Sequence, residues 1–482
     1  MWAEELAKKI IKEHGKKKLF ISTMITPSGP IHLGNLKEVM VGFLISDALK
    51  KAGAEVSFNF FVDNFDHLRR VYPFLPKSFE KYVGRSLSEI PDFWNCHKSY
   101  DKHFLEPFLQ ALVELNVKPK VRYVDLLYKN GTYTPVIKIA LRNRDKIYKI
   151  ISKISGRVMP KDWSPFMPLC AKCGKINQSK VVGQELDKNL VQYQCLCGHK
   201  GKADFSKGQG KLVWRVHWSA NWKTFNVSIE GFGKDQATKG GGYDTASAIV
   251  KEIYHQEPPF PVPYEWVYVK GQGKMAGSTG IGFTPLQMLE VMPSETLIYF
   301  YERTKPNKHF DFDIAEGLPA LWNESGGLTR IPFEHLVMVA QSAFSFEDIL
   351  DSLKRTGYGK QVQSSKSKIQ NEIKYVKNWL KDYAPERYKF AVQKSTPKIK
   401  LSHIQKEFLS NILKAVEGKK LDGEKLHQEI HNIKNKMKIP PREAFSAIYQ
   451  IFLGKDSGPQ AGWFLAGLDK KFVIKRLKEV IQ

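Results

Sequence analysis

Three glycine-bearing segments carry residue types that could do phosphate chemistry. The first is Thr26-Pro27-Ser28-Gly29-Pro30-Ile31-His32-Leu33-Gly34-Asn35. Gly29 and Gly34 let a ligand come close to the backbone, and His32 and Asn35 offer side-chain donors. A helix behind this segment would aim its positive dipole end and free N–H groups at the same point. That suits a phosphate, or a phosphoryl-like transition state held by placement rather than by covalent chemistry. The second is residues 270–280, KGQGKMAGSTG. Its glycines give mobility, and Lys270 and Lys274 give charge that could close over a polyphosphate. The third is GFGKDQ (231–236) with KGGGYD (239–244). Small residues there leave room for an adenine or ribose, and Asp235 could accept a hydroxyl. Each segment by itself also fits a tight surface turn.

The elements around them follow from hydrophobic period. Residues 4–14 read as a helix and 17–25 as a strand. Residues 36–53 read as a helix closed by Gly53, with Leu36, Val39, Met40, Phe43, Leu44 and Leu49 on one face. Residues 54–64 read as a second strand. Strand, turn, helix and strand in succession predict a βαβ unit in a parallel sheet, with ligands at its carboxyl edge. A helix is expected over about 101–116. Strand-rich segments are expected at 211–218, 227–236 and 264–275, with a helix over 245–254. Helical periodicity then runs to the end through 328–344, 367–383, 401–418, 424–438 and 442–454.

The pair Cys170 and Cys173 is followed by Cys195 and Cys197, with 22 positions from Cys173 to Cys195, the layout of a small zinc ribbon. The second half is CxC followed by Gly198-His199, so His199 is an alternative ligand to Cys195 or Cys197. Cys96 reads as a lone thiol. The bunched, odd cysteines fit a reducing cytoplasm better than a disulfide framework. No run approaches the ~18–20 apolar residues of a membrane span, and MWAEELAKKIIKEHGKKK lacks the apolar core of a signal peptide. Among 482 residues, 75 are Lys or Arg and 49 are Asp or Glu, a net charge of +26. The 42% hydrophobic content excludes a wholly disordered chain, and the charge favours a polyanionic partner. Residues 321–482 carry 29 basic and 17 acidic residues, the densest positive excess, and are the expected polyanion contact.

His32-Leu33-Gly34-Asn35 resembles the HIGH signature of class I aminoacyl-tRNA synthetases, and Lys274-Met275-Ala276-Gly277-Ser278 resembles their KMSKS signature. With GFGKDQA, PPFPVPYEWVYVKGQGKM (258–275), IPFEHLVMVAQ (331–341) and GKDSGPQAGWF (454–464), the chain is similar over most of its length to the class I, archaeal-type lysyl-tRNA synthetases. The resemblance implies a split Rossmann catalytic domain (1–84 and 206–270) with an inserted acceptor-end zinc subdomain (85–205). It also implies a KMSKS-type and stem-contact region (271–320) and an all-α anticodon-binding cage (321–482). It implies ATP-dependent formation of lysyl-adenylate and transfer to the 2′-hydroxyl of the terminal adenosine of tRNA(Lys), with Mg²⁺ and structural Zn²⁺, in a monomer with no membrane partner.

The implied catalytic residues are His32, Asn35 and Lys274. Pro27, Gly29, Gly34, Gly233, Asp235, Met275 and Ser278 complete the implied ATP site. Thr26, Trp218, Gln236 and Tyr264 form the implied amino-acid site, and Cys170, Cys173, Cys195 and Cys197 the metal site. Departures fall at Met24, where the family usually has glycine, and at Gln236, where it has histidine. Ala276, Gly277 and Thr279 depart from the lysine loop, the last at the cost of a cation. A non-catalytic or altered-specificity tRNA-binding paralogue is the alternative reading.

Overall fold

The computed structural model describes residues 2–16, 18–277, 281–418 and 422–481. Ser278 and Thr279, named above, lie outside them. The chain forms two compact units, Met1–Met288 with Phe300–Phe312, and Leu289–Tyr299 with Asp313–Gln482.

In the first unit the segments LFISTMI and VSFNFFV, rich in β-branched and aromatic residues, form strands Leu19–Ile25 and Val56–Val62. They pair in parallel from Leu19↔Val56 to Ile25↔Val62, around the Leu33–Lys51 helix. The expected βαβ unit is therefore present. The helix starts three residues earlier than its apolar period suggested, because His32 takes the N-cap position. It is also buried nearly all round rather than on one face. Val41, Ile45 and even Lys37 are covered.

The five-stranded sheet is parallel throughout. Its spatial order is Phe260–Tyr264, Ile229–Gly233, Leu19–Ile25, Val56–Val62, Lys120–Tyr123. The first edge strand, FPVPY, was not legible in the sequence, because two prolines argue against a ladder. At an edge, with one neighbour only, they are tolerated. The other edge strand comes from within residues 85–205. The chain order reverses between Leu19–Ile25 and Ile229–Gly233, so the loops leaving their carboxyl ends splay apart and open a crevice.

The expected strand at 211–218 is mostly wrong. Only Gly210–Leu212 is strand, and Trp214–Phe225 is helix. Its aromatic residues follow a helical period and stack on one another, Trp214 on Trp218 at 4.9 Å. The expected helix at 101–116 is found at Tyr100–Glu114, and that at 245–254 at Gly242–Glu252. The cysteine-bearing segment folds as a three-stranded antiparallel sheet, Ser179–Glu185, Leu190–Cys195 and Lys200–Asp204.

The second unit is helical. The five expected segments appear as Phe333–Ser342, Lys366–Asp382, His403–Gly418, Gly423–Lys436 and Pro441–Leu453. Phe346–Arg355, Ala461–Gly467 and Lys470–Ile481 add to them. Trp322, Phe333 and Trp379 stack edge-to-face at 5.2 and 5.0 Å in its core. Among the described residues no helix is long and apolar enough to cross a membrane.

Candidate active site and metal clusters

The crevice at the sheet's carboxyl edge is a cavity of about 630 Å³. Thr26, Ser28, Gly29, His32, Gly34 and Asn35 reach it from the first loop. Gly233 and Asp235 reach it from the end of the Ile229–Gly233 strand, and Lys274, Met275, Ala276 and Gly277 from the lysine loop. The glycines report how closely the two signature segments meet. A Cβ on Gly277 would lie 2.7 Å from the Pro30 carbonyl oxygen, and one on Gly29 would lie 3.0 Å from that of Gly277. Only glycine on both sides permits this approach.

Several contacts fix the first loop. The Tyr100 hydroxyl donates to the Ser28 carbonyl at 2.7 Å. The His32 backbone N–H donates to Oδ1 of Asn35 at 3.2 Å, while the Leu33 N–H donates to the Phe283 carbonyl at 3.0 Å. One helix-terminal donor is thus already committed, which the sequence reading did not foresee. A Cβ on Gly34 would sit 2.9 Å from the His32 ring, so that glycine sets the imidazole's place. Burial, then the Lys274 ammonium, pulls His32 down to about 4. The ring is neutral near pH 7, and its Nδ1 is buried without a partner among the described residues. Lys274 follows Gly271 and Gly273, both at positive φ, in the antiparallel hairpin of Val267–Val269 with Gly273–Lys274.

A second cavity of about 470 Å³ adjoins the first, sharing Met24, Thr26, Glu38, Gly233, Asp235 and Tyr264. Trp218, Gln236, Phe232 and Glu230 also line it. All four expected amino-acid-site residues therefore come together here, although Trp218 arrives on a helix. Gln236 donates from Nε2 to Oδ2 of Asp235 at 2.7 Å.

Sequence reasoning missed two carboxylates in these walls. Glu38 accepts from the Tyr264 hydroxyl at 2.6 Å and from the Met24 N–H at 2.5 Å. Burial raises it to about 7 against those bonds. Glu230 accepts from Nε1 of Trp218 at 2.8 Å, and burial raises it to about 8. A glutamate inside an apolar helix turn (EVMVGFL) and one inside an apolar strand (VSIEGFG) were the available signals. Below them Lys211, fully buried, holds Asp63 at 2.9 and 3.1 Å, and Asp66 holds Arg69 at 3.1 Å.

The thiols of Cys170, Cys173, Cys195 and Cys197 lie within 4.8 Å of one another. Cys170–Cys197 and Cys173–Cys195 are 3.6 and 3.7 Å apart at sulfur. A tetrahedral ion with Zn–S bonds of ~2.3 Å requires sulfurs ~3.8 Å apart, so the set fits zinc. His199 is outside this group. Cys96 is not a lone thiol. Its sulfur lies 3.1 Å from Nδ1 of His97, 3.2 Å from Nδ1 of His103 and 3.4 Å from Oδ2 of Asp92. These four form a second metal-type cluster, signalled only by Asp-x₃-Cys-His-x₅-His, whose ligands span a loop and a helix. The exposed Trp94 ring stacks on His103 at 4.0 Å.

A family profile described as tRNA synthetases class I (K) matches residues 1–348. The lysine–tRNA ligase of Methanosarcina barkeri (strain Fusaro / DSM 804) is 40% identical over 528 aligned residues, covering 99% of this chain and 97% of that protein. That of Archaeoglobus fulgidus is 38% identical over 499, covering 100% of both. That of Thermoplasma acidophilum is 36% identical over 511, covering 100% and 99%. The chain belongs to the class I (K) tRNA synthetases.

Proposed function

We propose that the chain is a lysine–tRNA ligase. Lysine attacks the α-phosphate of ATP through a carboxylate oxygen, pyrophosphate leaves, and the acyl group passes to the terminal 2′-hydroxyl of tRNA(Lys) with release of AMP. The observation that carries this reading is the convergence of the His32 loop and the Lys274 hairpin on one cavity that opens into a second, carboxylate-lined one.

His32, neutral, donates an N–H to the phosphates without adding a charge that would have to be desolvated. Asn35, Gly29, Gly34 and Pro27 shape its cradle, and Lys274 with Met275 closes over the β and γ phosphates. Mg²⁺ supplies further neutralisation of the triphosphate when bound. Asp235 and Gly233 take the ribose. Thr26, Gln236, Trp218 and Tyr264 hold the amino acid, with Glu38 facing its side-chain ammonium. No protein nucleophile is needed, because catalysis here is orientation and fixed electrostatics.

The four-cysteine cluster takes zinc, which ties its loop to the antiparallel sheet and so stiffens residues 85–205 as the acceptor-end subdomain. The helical residues 321–482, with their positive excess, receive the anticodon arm. Lysine-dependent ATP–pyrophosphate exchange, run against all twenty amino acids, followed by charging of tRNA(Lys), tests the reading. Exchange with lysine alone and charged tRNA are expected. Absence of exchange with every amino acid, with tRNA still bound, contradicts it.

A further inference from the structure

The lysine hairpin supplies little of its own to hold Lys274. Among the described residues, added Cβ atoms on Gly271 and Gly273 would meet nothing within 4 Å, and both hairpin residues Gly273 and Lys274 are exposed. What the ammonium does touch is a ring. Nζ of Lys274 lies 3.4 Å from the centroid of Trp266, a residue that lines the first cavity. Nζ of Lys234 lies 4.4 Å from the same ring and pairs with Glu265 at 2.6 Å.

Trp266 is itself anchored to the helix that begins at His32. Lys37 of that helix, fully buried, donates to the Glu265 carbonyl at 2.9 Å and to the Lys308 carbonyl at 3.1 Å. A continuous path thus runs from the His32 helix, through Lys37 and the backbone before Trp266, to the Lys274 ammonium.

We propose that Trp266 is a positioning residue that holds Lys274 in the cleft before ATP arrives. The choice of partner follows from charge. A carboxylate would bind the ammonium firmly and compete with the triphosphate, whereas an aromatic face attracts it modestly and carries no net charge. The lysine is therefore placed and partly desolvated, as its lowered pKa from burial also indicates, yet yields to a polyanion. A mobile glycine-rich loop gains most from this, because less ordering is left for the moment of binding. The inference rests on the proposed contact between Lys274 and the phosphates.

The test is lysine-dependent ATP–pyrophosphate exchange in the full-length protein, comparing Trp266→Leu, Trp266→Phe, Lys274→Met and the Trp266→Leu/Lys274→Met pair. Trp266→Leu is expected to lower kcat/KM for ATP roughly tenfold, the range of a partly desolvated cation–π contact. The lysine KM should stay within about twofold, and Trp266→Phe should recover part of the loss, since it keeps a ring face. Once Lys274 is gone, Trp266→Leu should cost little more, since the two act as one unit. Full additivity of the pair, or equal loss in the Leu and Phe variants, would overturn the assignment. If the Leu variant does not fold, Trp266→Phe with and without Lys274→Met decides the same question. Absence of exchange in the native protein refutes the proposed function. Exchange in the native protein with additive losses refutes only the role given to Trp266.

Discussion

Tyr264 donates a 2.6 Å hydrogen bond to Oε2 of Glu38, and the pair closes one wall of both cavities. The carboxylate is half-buried between strand and helix, and burial raises it to about 7. Below that pH the free protein holds it as the neutral acid. Binding an alkylammonium requires the ionised form, so lysine affinity should rise as pH increases through about 7 and be lost as it falls. Glu230, raised to about 8 by burial, extends the rise in the same direction. His32, near 4, is neutral across this window and contributes nothing to it. The lysine KM measured from pH 6 to 8.5 checks the sign. Glu38→Gln should flatten the profile and weaken lysine binding by about 1.5–3 kcal/mol, the range for a hydrogen bond to a charged group.

Gly34 sits where a methyl group would strike the His32 imidazole. Gly34→Ala should displace the ring from the phosphates and lower exchange by roughly 10²-fold or more, the scale of a lost transition-state donor. Apart from His32, the added methyl meets only Met275 Cβ at 3.8 Å, an ordinary contact, so the thermal midpoint should move by no more than a few degrees. A calorimetric scan beside the exchange assay separates the two effects.

One bound zinc ion per chain is expected on metal analysis. Cys170→Ser should remove it, and Cys96→Ser should leave it in place. The first should also destabilise the segment around Ser179–Asp204, since a structural zinc site contributes folding free energy directly. Protease susceptibility of that segment, compared before and after chelation, reads this out.

Much of this arrangement could be read from residue order. The His32 loop, the Lys274 loop and the four clustered cysteines each announce themselves by spacing within a few residues, and all came together as expected. What escaped was information set by tertiary neighbours. Phe260–Tyr264 is a strand despite two prolines because it lies at a sheet edge. Trp214–Phe225 is a helix because its aromatics stack at helical period. Glu38 and Glu230 matter because burial changes their charge, and no local pattern reports burial of a carboxylate. Asp92, Cys96, His97 and His103 join across a loop–helix turn whose path the sequence does not draw.

His32→Ala should abolish exchange while leaving tRNA affinity within about twofold, because His32 belongs to the phosphate cradle and not to the basic helical segment 321–482. The affinity itself should fall with salt. If about four phosphates are neutralised, log K against log salt has a slope of about −3 to −4. A filter-binding series over salt, with native and His32→Ala protein, checks both statements.

The most direct measurement is a crystal structure with a non-hydrolysable ATP analogue and lysine bound. The His32 ring and the Lys274 ammonium should both contact the one triphosphate, with lysine between Trp218 and Tyr264. A triphosphate held by only one of the two segments, or seated outside the cavity that Gly29 and Gly277 together close, would contradict the account.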